Sequence, residues 1–108
     1  MKKILLFFIL LLFACSQTNE QKSAIAIKKF LQNVLNDPSS YEPVDFGKLD
    51  SLFLRDPSNN QKFFSGYSVV HSYRAKNAFG ALVLSVDTFW IEKNYKWATN
   101  TWASKGKN

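Results

Sequence analysis

Apolar residues recur with a helical period in the part of the chain that follows Cys15. The positions that fit the i, i+3, i+4, i+7, i+8 spacing of an amphipathic helix are Ile27, Phe30, Leu31, Val34 and Leu35. Thr18 and Gln21 have the spacing of an N-terminal capping box. Pro38 cannot continue a helix because it lacks the backbone N–H donor. The pattern therefore predicts one amphipathic helix from about Thr18 to about Asn36.

Apolar and polar residues alternate after residue 66, which is the period of a β-strand. Residues 67–76, 81–91 and 95–101 form three such runs, separated by turns at 77–80 and 92–94. One face of the first run carries Tyr67, Val69, His71 and Tyr73. One face of the second carries Leu82, Leu84, Val86 and Trp90.

The segment 39–54 fits two descriptions, and residues 55–61 have the composition of a loop. An extended segment, with Pro43 at a sheet edge, is favoured by Tyr41, Val44 and Phe46. A single helical turn is favoured by the spacing of Leu49, Leu52 and Phe53. Together the elements predict the α+β class, with one N-terminal amphipathic helix packed on a three- to four-stranded antiparallel meander sheet.

The first fifteen residues have the layout of an export signal. Lys2 and Lys3 precede an unbroken apolar run of ten residues at 4–13. Such a run is too short for a transmembrane helix, because with Ala14 it spans roughly 17 Å against about 30 Å of hydrocarbon. The sequence Leu12-Phe13-Ala14-Cys15 resembles the lipobox of bacterial lipoproteins.

This resemblance implies that the Cys15 thiol receives diacylglycerol, that the chain is cut before Cys15, and that the new amino group is acylated, for example with palmitate. The alternative is an ordinary signal peptide in which Cys15 occurs by chance. The predicted organisation is a removed signal peptide at 1–14, a lipidated Cys15 with a short polar tether at 15–22, a single domain at 23–102 and a disordered tail at 103–108. Since Cys15 is the chain's single cysteine, the predicted domain has no intrachain disulfide.

The charge balance favours a membrane surface over nucleic acid as a partner. The whole chain carries a net charge of +6, which falls to +4 when Lys2 and Lys3 leave with the signal. An exported protein rarely meets nucleic acid, whereas a mildly basic surface complements an anionic membrane. The alternative is a solvated surface with no specific electrostatic role.

Two further stretches carry a second resemblance. The first is Asn36-Asp37-Pro38-Ser39-Ser40-Tyr41, and the second is Tyr73-Arg74-Ala75-Lys76-Asn77-Ala78-Phe79-Gly80. Together they resemble a group of small uncharacterised bacterial envelope proteins with an Asp-Pro-x-Ser step after a helix and an Ala-Lys-Asn-x-Phe-Gly-Gly turn. Here Ala81 stands at the second glycine. The resemblance covers about residues 24–91 and implies a common fold, but no activity.

The sequence contains no set of residues typical of an enzyme. His71 is the one histidine, and it lies on the apolar face of its predicted strand, which favours packing over catalysis. An enzyme would need a cleft that contains His71 and a carboxylate. The acidic residues have no metal-ligand spacing, and no phosphate-binding loop is present. We therefore predict no catalytic residue, no metal site and no cofactor.

The best candidates for partner binding are Arg74, Lys76, Asn77 and Phe79, on one strand and the turn after it. Alternatively, Asn77 and Gly80 satisfy turn geometry and the two cations are merely solvated. A second polar and aromatic group contains Trp90, Tyr95, Trp97 and Trp102, among several lysines. This mixture is typical of membrane interfaces and sugar-binding sites, but alternating aromatics that fill the sheet core are the favoured interpretation.

These features predict a non-enzymatic lipid-anchored protein that binds or scaffolds another component of the cell envelope. The alternative function is an inhibitor or immunity-type lipoprotein that blocks a toxin or a hydrolase. Ser16 occupies the position after the lipidated cysteine, where an aspartate often retains lipoproteins at the inner membrane. We therefore expect the outer membrane, with the domain facing the periplasm.

Overall fold

The computed structural model describes residues 16–100. The helix α1 spans Asn19–Val34, and a single 3-10 turn follows at Pro38–Ser40. The strands are β1 (Glu42–Phe46), β2 (Asp50–Arg55), β3 (Lys62–Lys76), β4 (Leu82–Glu92) and β5 (Ala98–Asn100). The predicted α+β class, with a helix packed on an antiparallel sheet, is confirmed, although the sheet has five strands. The predictions for Cys15, Trp102 and the tail lie outside the described residues.

The capping box at the start of α1 is present. The Thr18 hydroxyl accepts a hydrogen bond from the Gln21 N–H at 3.2 Å, and the Gln21 side chain accepts one from the Thr18 N–H at 2.9 Å. These bonds satisfy two of the N–H groups that a helix start leaves unpaired. The helix therefore begins at Asn19, and residues 19–22 of the predicted tether are helical.

The apolar stripe of α1 faces the sheet, with one exception. Ile27 and Leu31 are fully buried, and Phe30 packs edge-on against Phe89 with ring centroids 6.1 Å apart. Val34 is 53% exposed, so its predicted place in the buried stripe is wrong. The reason is that the last turn of α1 borders an open groove shared with the distal part of the sheet instead of packing on it.

The long strand β3 organises the sheet. Its first half pairs with β2 and its second half with β1, on the same edge, while β4 occupies the other edge and β5 follows β4. All of these pairings are antiparallel. Pro43 lies in β1, which agrees with the predicted edge position. The helical turn considered for Leu49, Leu52 and Phe53 is wrong, because residues 50–55 pair with 62–68 of β3 as a strand.

The hairpin between β3 and β4 has the predicted turn at 77–80. The Asn77 side-chain oxygen accepts hydrogen bonds from the N–H groups of Phe79 and Ala81 at 2.9 and 3.1 Å. Gly80 has φ +81°, which a residue with a side chain adopts only with strain. The turn fixes the register in which Lys76 faces Leu82 and His71 faces Asp87.

The core lies between α1 and one face of the sheet. As predicted, Tyr67, Val69, His71 and Tyr73 share this face, and they meet Phe89 and Ile91 of β4. The four β4 residues predicted to align do share a face, but it is the opposite one, away from α1. The assignment of Trp90 and Trp97 to the core is wrong, since they are 39% and 57% exposed. Tyr95 lies in the β4–β5 turn with φ +60°, so β5 is shorter than the predicted run 95–101.

Candidate functional site

The sheet face turned away from α1 carries a line of exposed apolar side chains, which we call the outer strip. Its members, with exposed fractions of 39% to 59%, are Val70, Leu82, Leu84, Val86 and Trp90. Four of them alternate along β4, and Val70 lies opposite Thr88 of β4 and therefore on the same face. Antiparallel sheets usually place polar residues on a face that is not covered by other elements. The outer strip departs from that rule.

Two of the predicted site residues border the outer strip. Arg74 lies directly across from Leu84, and Lys76 directly across from Leu82, so all four side chains lie on one face. Both cations are exposed, and within residues 16–100 the one ion pair joins Lys48 to Asp50. The structure thus combines the two cations with an apolar surface that the sequence pattern did not connect to them.

The other two predicted site residues belong to the hairpin turn. The Asn77 side-chain oxygen is already used by the two backbone N–H groups of the turn, so its first role is structural. Phe79 is 95% exposed at the hairpin tip. The tip therefore presents an apolar ring beside Lys76, at the end of the sheet near the last turn of α1.

His71 lies in the core, as its position on the apolar face predicts, and it is fully buried. One ring nitrogen, Nδ1, is 2.7 Å from the backbone carbonyl of Asp45, and Nε2 is 2.7 Å from the Tyr41 hydroxyl. Because a carbonyl oxygen can only accept, Nδ1 donates to it, and Nε2 accepts the proton of the Tyr41 hydroxyl. Both nitrogens are therefore satisfied in the neutral form of the ring.

Burial also favours the neutral form of His71. Desolvation lowers the pKa of His71 below its ordinary value of 6.5, and it outweighs the nearby acceptor carbonyl and the charges of Asp45 and Asp87, which act in the opposite direction. The ring stacks on Phe46 with centroids 3.8 Å apart. This environment is that of a packed core histidine that ties β1 to β3.

A polar pair lies beside His71. The Tyr73 hydroxyl donates to the Asp87 carboxylate at 3.0 Å. Burial first, and then the Asp87 carboxylate, raises the pKa of Tyr73 to about 12, so the phenol keeps its proton at neutral pH. The pair ties β3 to β4, and it gives a carboxylate under the helix a hydrogen-bond partner.

A groove lies between α1 and β1. It has a volume of about 520 Å³ and is open to solvent, and its lining includes Ile25, Lys28, Tyr41 and Phe46. No carboxylate is part of this lining among the described residues. The lining includes Tyr41 but not His71, whose two ring nitrogens are already paired.

Residues 16–100 contain neither a metal-binding cluster nor a helix that could span a membrane. No group of three or more His, Cys, Asp or Glu side chains in this range could hold a metal ion. Nor does this range contain a helix of the length and apolarity that crossing a membrane requires.

Comparisons with known proteins gave no match: no protein-family model, no curated protein and no solved structure is similar to this chain. The interpretation of the outer strip therefore depends on its own geometry and charge.

The sequence alone is sufficient to place the outer strip on the uncovered face of the sheet. A turn at 77–80 places Lys76 opposite Leu82, and counting along both strands then places Val69 opposite Phe89. Since Val69 was predicted on the covered face, Phe89 and Ile91 belong to that face too. The aligned leucines and valines of β4 must then lie on the other face.

Proposed function

We propose that this chain is a non-enzymatic lipoprotein of the bacterial envelope that binds or scaffolds another envelope protein. In this proposal Cys15 carries the lipid, palmitate included, and the domain faces the periplasm from the outer membrane. The partner binds the outer strip and the two cations that border it. The single observation that carries the binding part is the line of apolar side chains on the uncovered face of β4.

Apolar side chains that are exposed to water are stabilised when a partner covers them. Contiguous apolar patches on small soluble domains typically mark interaction sites. On β3 the same face is mostly polar, with Ser68, Ser72, Arg74 and Lys76. The fold therefore tolerates polar residues on this face of the sheet. Arg74 and Lys76 form no ion pair within residues 16–100, although Glu42 of β1 lies directly across from Arg74, and the two cations favour a partner with acidic side chains around an apolar centre.

The length of the connection to Cys15 supports the proposed orientation. Residues 16–18 precede α1, and they reach about 10 Å when extended. A lipid on Cys15 would therefore hold the first turn of α1 close to the bilayer. The helix rises about 24 Å over its sixteen residues and ends near Lys76 and Asn77. The bordering cations would then lie on the side away from the membrane, within reach of a partner.

The anchor is tested by labelling cells with a radioactive fatty acid. Wild-type protein should incorporate the label, and Cys15→Ser protein should incorporate none and keep its signal peptide. Label retained on the Cys15→Ser protein would refute the lipid assignment. Fractionation of the two membranes decides whether the anchor lies in the outer one.

The binding surface is tested by capturing partners from detergent-solubilised membranes after chemical cross-linking. Leu84→Asp places a charge inside the apolar strip, and the double change Arg74→Ala with Lys76→Ala removes charge-assisted contacts, each of which contributes about 1.5–3 kcal/mol. Each variant should therefore lower the affinity for the captured partner about tenfold or more. Their melting temperatures should stay close to that of the wild type, since these side chains are exposed.

The matched control is Lys29→Asp, a change of charge on the exposed side of α1. It should leave both the melting temperature and the capture unchanged. If the outer-strip variants fold and still capture the partner with wild-type affinity, the strip is not the binding surface. A captured secreted toxin or hydrolase, in place of a resident envelope component, would favour the inhibitor or immunity alternative.

A further inference from the structure

The β2–β3 hairpin extends beyond the rest of the sheet. Strand β3 begins at Lys62, but its pairing with β4 begins only at Gly66. The part of the hairpin between Phe53 and Phe64 therefore has no neighbour in β4. Three of its large apolar side chains are strongly exposed, with fractions of 57% for Phe53, 48% for Leu54 and 48% for Phe63.

The projecting hairpin is apolar on both faces. Phe53 pairs with Phe64 and Leu54 with Phe63, and direct cross-strand partners lie on the same side of a sheet. The two pairs therefore occupy opposite faces. A hairpin that only completed the core would need apolar residues on one face alone.

The hairpin lies at the end of the molecule where α1 begins. A chain of ring contacts leads from Phe53 to Phe64, then to Tyr67 and on to Tyr95, with successive centroids 5.9, 5.2 and 5.2 Å apart. The ammonium group of Lys22, in the first turns of α1, lies 5.6 Å from the centre of the Tyr95 ring. The hairpin base, the β4–β5 turn and the helix start thus form one continuous end of the domain.

Exposed cations accompany the aromatic side chains at this end. Lys62 stands at the start of β3, and Lys93 and Lys96 stand in the β4–β5 turn beside Trp97, which is 57% exposed. Acidic residues also lie at this end: the Asp56 carboxylate accepts from the Ser58 N–H, the Glu92 carboxylate accepts from the Asn94 N–H, and Glu20 lies in the first turn of α1 near Tyr95. Exposed aromatic rings interspersed with lysines are the composition of surfaces that contact lipid headgroups.

We propose that the β2–β3 hairpin, together with the β4–β5 turn, is a second and non-covalent contact with an anionic bilayer. Phe53 and Phe63 enter the interface from opposite faces of the hairpin, Trp97 lies at headgroup level, and Lys62, Lys93 and Lys96 meet the lipid phosphates. The inference rests on the lipid anchor at Cys15, which would bring this end of the domain to the membrane.

A bilayer fits this end better than a second copy of the chain does. Two copies that met through this end would bring two sets of lysines, Lys62, Lys93 and Lys96 of each, to one interface, and like charges repel. An anionic surface instead complements each lysine. Because the lipid at Cys15 would already anchor the chain through several acyl chains, the basic, partly apolar surface would fix the orientation of the domain on the bilayer rather than supply the attachment.

The test measures how deeply the hairpin enters the membrane. Because Cys15 is the chain's single cysteine and lipidation consumes it, Phe63→Cys gives one free thiol for an environment-sensitive fluorophore. The matched control is Phe79→Cys, which places the same label at the far end of the sheet, where the ring is 95% exposed. Both full-length proteins, purified after export, are reconstituted into phosphatidylcholine vesicles with and without phosphatidylglycerol, and the vesicles contain spin-labelled lipid as the quencher.

We expect the label at position 63 to be quenched at least about threefold more strongly than the label at position 79 on anionic vesicles. The difference should shrink on neutral vesicles, and also in about 0.5 M salt, which screens exposed charges. Equal quenching at the two positions would overturn the membrane contact and indicate that the hairpin meets solvent or a protein. Strong quenching at position 63 that is the same on both vesicle types would overturn the role of the lysines.

The mass of the purified protein shows separately whether the chain carries the lipid anchor. An acylated chain without preferential quenching at position 63 refutes this inference and leaves the lipid anchor intact. A chain without acyl groups refutes the anchor. In that case the label on Cys15 of the wild-type protein measures the background quenching. Quenching of the position-63 variant above this background still supports the hairpin contact, and quenching equal to the background refutes it.

Discussion

Replacement of Leu31 by Ala tests the packing of α1 on the sheet more directly than any other single change. Leu31 is fully buried and belongs to the core cluster that includes Ile27, Tyr73 and Phe89. The shortened side chain would leave a cavity between the helix and β3–β4, because the surrounding rings cannot close it without moving the strands. Val34 is the matched comparison, since the same helical stripe contains it and the structure leaves it 53% exposed.

The size of the effect follows from burial. Leucine-to-alanine changes at fully buried positions cost about 2–5 kcal/mol, through lost apolar transfer energy and the remaining cavity. The described domain has 85 residues, for which a total stability of about 4–13 kcal/mol is typical. We therefore expect Leu31→Ala to remove at least about a sixth of the unfolding free energy, and about half or more if the total lies near the lower end of that range. Val34→Ala should change it by less than about 1 kcal/mol, because alanine regains helix propensity that valine lacks.

Urea denaturation followed by tryptophan fluorescence measures both variants. For a domain of this size each kcal/mol corresponds to about 4–8 °C in melting temperature, so the Leu31→Ala variant should also melt at least about 8 °C lower than the wild type. The dependence of the free energy on urea should be unchanged. Equal losses for the two variants, or a loss below about 1 kcal/mol for Leu31→Ala, would show that α1 does not pack as described.

Three further changes address other parts of the fold. The pKa of His71 is lowered in the folded state, so the stability that depends on its neutral ring is fully present above pH 6.5 and falls as the pH drops from 6.5 through the folded pKa. Thermal melts between about pH 7.5 and 5.5 should show this decrease in melting temperature, and His71→Gln should make it smaller. Gly66→Ala should lower the free energy of unfolding by about 3 kcal/mol or more, because the added Cβ would lie 2.1 Å from the Ile91 carbonyl oxygen. Gly80→Ala should lower it by only about 1 kcal/mol of backbone strain, because a Cβ there has nothing within 4 Å. Equal losses in urea denaturation would contradict this difference. Asn77→Ala should lower stability by about 1 kcal/mol in the same melts, and Asn77→Asp, which keeps the acceptor oxygen, should recover most of it; no recovery would argue against the two turn bonds.

Local signals determined the parts of the fold that the sequence predicted well. The capping box of Thr18 and Gln21, the period of α1 and the Asn77 turn all depend on residues within a few positions of one another. Such elements can be predicted from one sequence because their structure does not depend on residues that are distant in the chain. The helix end was less accurate, since the groove that exposes Val34 depends on where the sheet stops.

Contacts between distant segments determined the parts that the sequence did not predict. The spacing of Leu49, Leu52 and Phe53 fits one helical turn, and only the pairing of residues 50–55 with β3 makes them a strand. In β4 both faces are apolar, so alternation alone could not tell which face α1 covers. Trp90 and Trp97 were placed in the core for the same reason, because an aromatic residue is a plausible core residue until the register is known.

The shape of the outer strip narrows the kind of partner that fits it. Apart from Val70 on β3, the strip is one strand wide, because the facing row of β3 is otherwise polar, and from Leu82 to Trp90 it runs about 27 Å. A long and narrow apolar surface matches a single helix or an extended segment laid along the strand, rather than a compact ligand that needs a concave pocket. Arg74 and Lys76 border only the Leu82 and Leu84 end, so acidic side chains of such a partner should lie at one of its ends. Trp90, at the other end, borders the region proposed to contact lipid, and a partner lying along the strip would therefore run away from the membrane surface.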